Sequence, residues 1–99
     1  MKLLTNYYKN GYDFMLVKRL GNLAIAKGTS RLHQGDNWEV IEVQSHNGVQ
    51  MGDNWVAACE FPPSNNQWGA KGWTATSESH AEEILLREAQ KEQLKNVLR

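Results

Sequence analysis

The side chains best suited to covalent chemistry are one cysteine, Cys59, and three histidines, His33, His46 and His80. A thiolate beside an imidazole base could act as a nucleophile. Cys59, however, lies on the apolar side of an alternating pattern, where cysteine usually packs as an inert small hydrophobic residue. The four positions match no zinc-ligand spacing. We therefore predict no catalytic residue and no metal site.

Acidic pairs and glycine-rich loops offer no further chemistry. Glu39 and Glu42 are three residues apart in a predicted strand, so they project from opposite faces and do not form a carboxylate pair. Asp36 and Asp53 lack the closely spaced acidic ligands of a calcium loop. The glycines form neither a phosphate-binding loop nor a dinucleotide fingerprint. The sequence therefore predicts a protein that is not an enzyme and uses no cofactor.

Length and charge narrow the class of protein. The 99 residues predict a single domain, residues 1–99, and eleven basic against eleven acidic residues give a net charge of zero. Zero net charge argues against a general nucleic-acid binder, whose affinity depends on excess Lys and Arg. No apolar run reaches the roughly 20 residues that span a bilayer, and the first residues lack the apolar core of a signal peptide. We expect a soluble, cytoplasmic protein with no membrane partner.

The elements that must position any site are strands followed by one helix. Apolar and polar residues alternate over five predicted strands, at residues 12–20, 23–27, 38–44, 54–61 and 72–76. Gly21-Asn22 predicts a hairpin between the first two, and adjacent Val40 and Ile41 indicate either a bulge or burial on both faces. Residues 1–11 give only a turn signal. The predicted fold is α+β, an antiparallel sheet of about five strands with one C-terminal α-helix packed on a face.

The predicted helix starts near residue 77 and has two apolar stripes. Ser77 and Ser79 are alternative N-caps. At about 100° per residue, one stripe contains Ala81, Ile84, Leu85 and Ala89, and the opposite stripe contains Leu86, Leu94, Val97 and Leu98. Either the helix bends or breaks near residue 90 and the second stripe folds back, or the last two turns project. A projecting end would present leucines to a partner or to a second copy, as in a homodimer.

Two further patterns concern tryptophan. Gly35-Asp36-Asn37-Trp38 recurs at residues 52–55, either as two similar turn-to-strand entries or as a pair of aromatic tips usable for binding. Residues 62–73 form a predicted exposed recognition loop that includes Trp68, Lys71 and Trp73. These side chains could anchor a protein partner, pack the core, or stack on unpaired bases, although zero net charge argues against nucleic acid.

Residues 6–19, 38–43 and 61–74, with Ala81 of the helix, resemble small proteins of phages and other bacterial mobile elements. The shared features are a tyrosine-rich opening, a strand with a Glu-Val pair, a Pro-Ser loop with Gly and Trp, and a closing helix. The resemblance implies a bacterial host cell as the setting. Some mobile-element proteins of this size are anti-CRISPR or other anti-defence proteins, which bind and block a host protein.

These observations lead to one functional expectation with two alternatives. We expect a non-enzymatic protein-binding module that inhibits a host defence system, such as a CRISPR-Cas effector nuclease. The alternatives are a small nucleic-acid-binding accessory protein and a homodimeric structural module. The predicted partner-binding residues are Trp68, Lys71, Trp73, Leu86, Leu94, Val97 and Leu98.

Overall fold

The computed structural model describes residues 1–30, 32 and 35–97, the last two without their side chains. In chain order, the elements of this part are β1 Asn6–Lys9, β2 Tyr12–Leu20, β3 Leu23–Thr29, β4 Asn37–Glu42, β5 Gln44–His46, β6 Val49–Met51, β7 Asn54–Val56, β8 Cys59–Phe61, a short 3₁₀ turn Asn65–Gln67, β9 Gly72–Ala75 and α1 Glu78–Val97.

An antiparallel sheet and the C-terminal helix form the α+β fold predicted from the sequence. In the described residues the sheet has five strands, in the order β1-β2-β3-β4-β9. β2 and β3 form the predicted hairpin, in which Leu20 pairs with Leu23. Gly21 takes a φ of 63° in this turn, the left-handed region that glycine enters without steric cost.

The helix packs on β3, β4 and β9 through the stripe that the sequence predicts. Ala81, Ile84 and Leu85 are buried against sheet residues that include Ile25 and Val40. Removing each large aliphatic side chain from water contributes about 1.5–3 kcal/mol. This contact is therefore the main hydrophobic layer of the molecule.

A second apolar layer covers the other face of the sheet. Its buried residues are Ala24, Ile41 and Val43, and partly buried side chains that include Trp68 pack against them. Val40 and Ile41 lie in different layers, and their ladder with β3 is unbroken. Their adjacency therefore reflects burial on both faces. The bulge lies instead in β2, where the register shifts between Leu16 and Lys18.

The predicted strand at residues 54–61 is wrong as a member of the sheet. It divides into β7 and β8, which pair with β6 and β5 in separate two-stranded ladders. The chain changes partners at Ala57-Ala58: Ala58 accepts a hydrogen bond from the Lys2 N–H, and the Glu60 N–H donates to Lys2. The predicted strand at 38–44 likewise divides at Val43, whose N–H donates to Asn22.

The first strand of the sheet was not predicted. β1 pairs with β2 and supplies the fifth strand of the sheet. The predicted turn after it is present, with Asn10 and Gly11 at φ values of 52° and 86°. Positive φ at both positions is typical of the two-residue turns that match strand twist.

One of the two predicted N-caps is present at the start of the helix. The Ser77 hydroxyl accepts the His80 N–H at 3.1 Å, and the helix starts at the next residue, so Ser77 is the N-cap. The helix is continuous through Glu78–Val97. Of the alternatives for the end of the helix, a break near residue 90 is therefore wrong.

An ion pair attaches β8 to the sheet. Arg19 on β2 donates to both carboxylate oxygens of Glu60, at 2.6 and 2.7 Å, and the Leu4 N–H donates to the same carboxylate at 2.9 Å. The paired Arg19 guanidinium, with the Leu4 N–H, lowers the pKa of Glu60 from 4.5 to about 2. Because the pair is bidentate, it is stronger than a typical surface ion pair.

This pair predicts an acid-sensitive contribution to stability. Because the pKa of Glu60 is lowered in the fold, the contribution is complete above pH 4.5 and is lost as the pH falls from 4.5 to about 2. Allowing for solvent at the partly exposed Arg19, we expect roughly 1–2 kcal/mol. Urea unfolding of Glu60→Gln should show a free energy of unfolding that is lower by this amount at neutral pH. Its acid limb, the decrease in the free energy of unfolding below pH 4.5, should be less steep than that of the wild type.

A matched control is Glu82→Gln, which removes an exposed pair with Lys18. Such pairs contribute little, so the acid limb should be unchanged. Equal acid limbs for the wild-type protein and Glu60→Gln would contradict the assignment.

Candidate functional site

The β6–β7 hairpin, residues 49–56, carries exposed apolar side chains, and we call it the hairpin arm. Its strands pair only with each other among the described residues, with Gln50 opposite Trp55 and Met51 opposite Asn54. Trp55 is 66% exposed, Met51 62% and Val49 40%. Alternation along a strand places Val49 and Met51 on one face of the ribbon and Trp55 on the other.

The residue just before the hairpin arm is a glycine, which leaves room for the Trp55 ring. A Cβ at Gly48 would lie 2.5 Å from the Trp55 ring, and Gly48 has a φ of 107°. Both the close approach of the ring and the left-handed backbone therefore favour glycine. Contact with Gly48 fixes one side of the indole while most of its surface stays exposed.

The repeated Gly-Asp-Asn-Trp motif has the same local role at both positions. β4 begins at Asn37 and β7 at Asn54, which confirms two turn-to-strand entries. Their tryptophans differ: Trp38 packs against the helix-side core, whereas Trp55 is exposed. The two rings therefore do not form a pair of exposed aromatic tips.

The register of β5 with β8 brings Cys59 and His46 together. Cys59 Sγ lies 3.2 Å from His46 Nε2, and His46 Nδ1 accepts the Gly48 N–H at 3.1 Å. An Nδ1 that accepts a hydrogen bond carries no proton, so the neutral imidazole carries its proton on Nε2. That Nε2–H donates toward the sulfur and cannot take up the thiol proton. The pair therefore lacks the arrangement of a nucleophile with its general base.

Metal-binding geometry is also missing from the part of the chain that the structure describes. No three His, Cys, Asp or Glu side chains there are grouped so that they could hold a metal ion. His80 caps the start of the helix, where its Nδ1 accepts the Thr76 N–H at 3.1 Å. His33 lies outside the described residues.

A buried carboxylate connects the edge strand to the centre of the sheet. Glu39 is 4% exposed, and it accepts hydrogen bonds from Tyr7 Oη at 2.8 Å and from Lys9 Nζ at 3.0 Å. The Lys9 ammonium also lies 3.1 Å from the centroid of the Trp68 ring. Burial, and then the Glu39 carboxylate, raises the pKa of Tyr7 well above its usual value of 10.0.

Aromatic packing supports this network. The Tyr7 ring stacks on Phe14 with centroids 5.0 Å apart. Phe14 in turn covers Gly28, where a Cβ would lie 2.5 Å from the ring. A glycine on β3 therefore leaves the space in which two aromatic rings cross the sheet toward Glu39.

The three predicted anchors of the loop at residues 62–73 do not share one surface. Trp68 packs on the second apolar layer and donates from Nε1 to Thr74 Oγ1 at 3.2 Å. Trp73 packs on the helix-side core, across the sheet from Trp68. Lys71 Nζ lies 3.4 Å from Gln44 Oε1. The two rings therefore offer no common platform for stacked bases.

Trp73 forms one wall of a shallow groove between the helix and the sheet, about 310 Å³ in volume. Glu42, Glu88 and Lys91 also line this groove. Burial acts to raise the pKa of Glu88, but hydrogen bonds from Arg87 and Lys91 outweigh it and lower that pKa. Glu88 and Lys91 are therefore paired with each other within the helix.

The predicted leucine stripe of the helix is exposed where the structure describes it. Leu86 is 56% and Leu94 61% exposed. The side chain of Val97 and the whole of Leu98 lie outside the described part of the chain. Partner binding by this stripe stays a prediction.

Sequence reasoning missed the hairpin arm, although a signal was present. Gly52-Asp53 between two short apolar segments is a two-residue hairpin signal, and Gly52 takes a φ of 60°. The contact of Cys59 with His46 and the network at Glu39 gave no comparable signal. Both join residues that are distant in sequence, so they follow from strand register and sheet order.

Comparison of the chain with protein-family models, curated proteins and solved structures found no match. Among the described residues, no helix combines the length and the apolar character needed to cross a membrane.

The Tyr7–Glu39 contact predicts an unusual tyrosine titration. Because the fold raises the pKa of Tyr7, its stabilising effect is complete below pH 10.0 and is lost as the pH rises further. Absorbance titration of folded protein should therefore fall short of the three tyrosines seen after unfolding. Tyr7→Phe should reduce this shortfall by one tyrosine.

Tyr8→Phe provides the control, since Tyr8 is 71% exposed, and it should leave the shortfall in place. Ionisation of all three tyrosines while circular dichroism still shows the native fold would refute a buried, carboxylate-bonded Tyr7.

Proposed function

We propose that the protein is a non-enzymatic protein-binding module whose contact surface is the hairpin arm. The observation that carries this proposal is the exposure of Trp55, Met51 and Val49 on a ribbon that pairs with no other strand in the described part of the chain. Tryptophan and methionine are enriched at protein interfaces relative to other surfaces. A single exposed apolar residue is ordinary, whereas three on one short hairpin make that hairpin a candidate contact surface.

The arm suits a cleft better than a flat surface. Its apolar side chains lie on both faces of the ribbon, so a flat partner would cover only one set. A cleft would bury Trp55 on one side and Met51 on the other. The arm itself carries one acidic side chain, Asp53, at its turn, and no Lys or Arg. This composition favours an apolar protein cleft over the phosphate backbone of a nucleic acid.

We further propose that the partner is a host protein and that binding inhibits a defence system such as a CRISPR effector nuclease. The resemblance of the sequence to small phage and mobile-element proteins supports this choice of partner. A hairpin that enters a cleft can block a substrate channel without performing chemistry. This mode of action agrees with the lack of a nucleophile–base arrangement at Cys59 and His46.

The proposal predicts site-specific cross-linking from the arm. A photo-reactive amino acid at position 55 should cross-link the chain to one host protein in a lysate, which mass spectrometry identifies. With that protein purified, Trp55→Ala should weaken binding by about 30-fold, because a central tryptophan contributes about 2 kcal/mol. Calorimetry measures the affinity.

Leu94→Ala is the matched control, since Leu94 is 61% exposed on the helix, and it should bind as the wild type does. If Leu94→Ala weakens binding and Trp55→Ala does not, the contact surface is the helix. The inhibitor proposal requires that DNA cleavage by the captured nuclease fall when the wild-type chain is added and recover with Trp55→Ala. If the chain binds the nuclease and DNA cleavage does not fall, the inhibitor proposal is contradicted.

A further inference from the structure

The outer edge of β1 is the basis of an inference that is independent of the proposed function. We propose that two copies of the chain pair through β1, antiparallel about a two-fold axis, so that their sheets become one continuous sheet. The contact is made by main-chain hydrogen bonds from Asn6 and Tyr8. It does not involve the hairpin arm or the exposed leucines of the helix.

The register of β1 with β2 shows which backbone groups point outward. The Leu16 N–H donates to Thr5, so Asn6 and Met15 form a non-hydrogen-bonded pair. Such pairs alternate along an antiparallel ladder, so Tyr8, opposite Asp13, is also non-hydrogen-bonded. The N–H and C=O groups of Asn6 and Tyr8 therefore face away from β2. No strand lies beyond them among the described residues.

This edge lacks an outward-pointing charge, a proline and a bulge, and its protection is limited to the four-residue length of β1 and to the Leu4 N–H that bonds to Glu60. Edge strands commonly carry an outward-pointing lysine, a proline or a bulge. The only charged residue of β1, Lys9, turns inward to Glu39, and its side chain is 18% exposed. The opposite edge differs, because its own preceding loop covers the start of β9 through the hydrogen bond from the Gly69 N–H to Gly72.

A second copy fits this edge by symmetry. With the two-fold axis at Tyr7, Asn6 of each copy faces Tyr8 of the other, and both bring outward donors and acceptors into register. No like charges meet in this register, since Lys9 falls opposite Thr5. Tyr8 and Met15, 71% and 64% exposed, project from the same face and extend the apolar contact. The chain has no net charge that would keep copies apart.

The dimer predicts a specific pattern of amide protection. Light scattering over a wide concentration range should show a rise toward twice the mass of one chain. In hydrogen exchange measured by NMR, the Asn6 and Tyr8 amides should become protected as the concentration rises. The Tyr7 and Lys9 amides, which bond to β2, should be protected at every concentration.

Tyr8→Pro removes one outward donor and should give a monomer at all concentrations. Tyr8→Lys is a milder second variant that keeps the backbone donor and adds the missing edge charge, and it should also shift the mass toward the monomer. Leu94→Lys, on the helix, should dimerise as the wild type does. A wild type that stays monomeric throughout, or a dimer lost in Leu94→Lys but kept in Tyr8→Lys, would overturn the proposal. Concentration-independent exchange at Asn6 and Tyr8 would do the same.

Discussion

The carboxylate of Glu39 is a charged group almost wholly removed from water, 4% exposed in the central part of the sheet. Taking an ion out of water costs several kcal/mol, so such a group persists only with partners that satisfy it. Tyr7 and Lys9 supply those partners from β1, and the Lys9 ammonium extends the network to the Trp68 ring. Because this charge must be paired, side chains of the edge strand β1 and of the loop before β9 meet on the same face of the sheet.

This constraint determines which side chains stay free for recognition. Trp68 is the type of residue that anchors a partner and Lys9 the type that protects a sheet edge, but both side chains are engaged in the network at Glu39. Trp73 packs against the helix-side core and is likewise not free for recognition. Of the four tryptophans, all of which lie in the described residues, Trp55 is the one left exposed, on a hairpin that pairs with no other strand there. Because Lys9 and Trp68 are engaged at Glu39, the edge of β1 has no outward-pointing charge and Trp55 is the tryptophan that remains exposed.

The fold class followed from patterns that are local in sequence. Alternation located β2 and β3, a Gly-Asn turn joined them, and the helix stripe with Ala81 and Leu85 matched its buried face. The errors concern partners chosen by tertiary contacts. The segment at 54–61 alternates like a sheet strand, yet it divides because Lys2 pairs beside Cys59. The contact of the Lys9 ammonium with the Trp68 ring was not predicted, because no spacing along the chain encodes it.

A double-mutant cycle on Lys9 and Glu39 tests the central claim most directly. Lys9→Met, Glu39→Gln and the double variant are compared by urea unfolding at neutral pH, with Lys18→Met and Glu82→Gln on the exposed pair as a parallel cycle. We expect Lys9→Met alone to cost about 3 kcal/mol, because it leaves a buried charge without its cation. We expect the double variant to recover at least about 1 kcal/mol, against less than that for the exposed pair. Effects at Lys9 and Glu39 that add within about 0.5 kcal/mol would contradict the account.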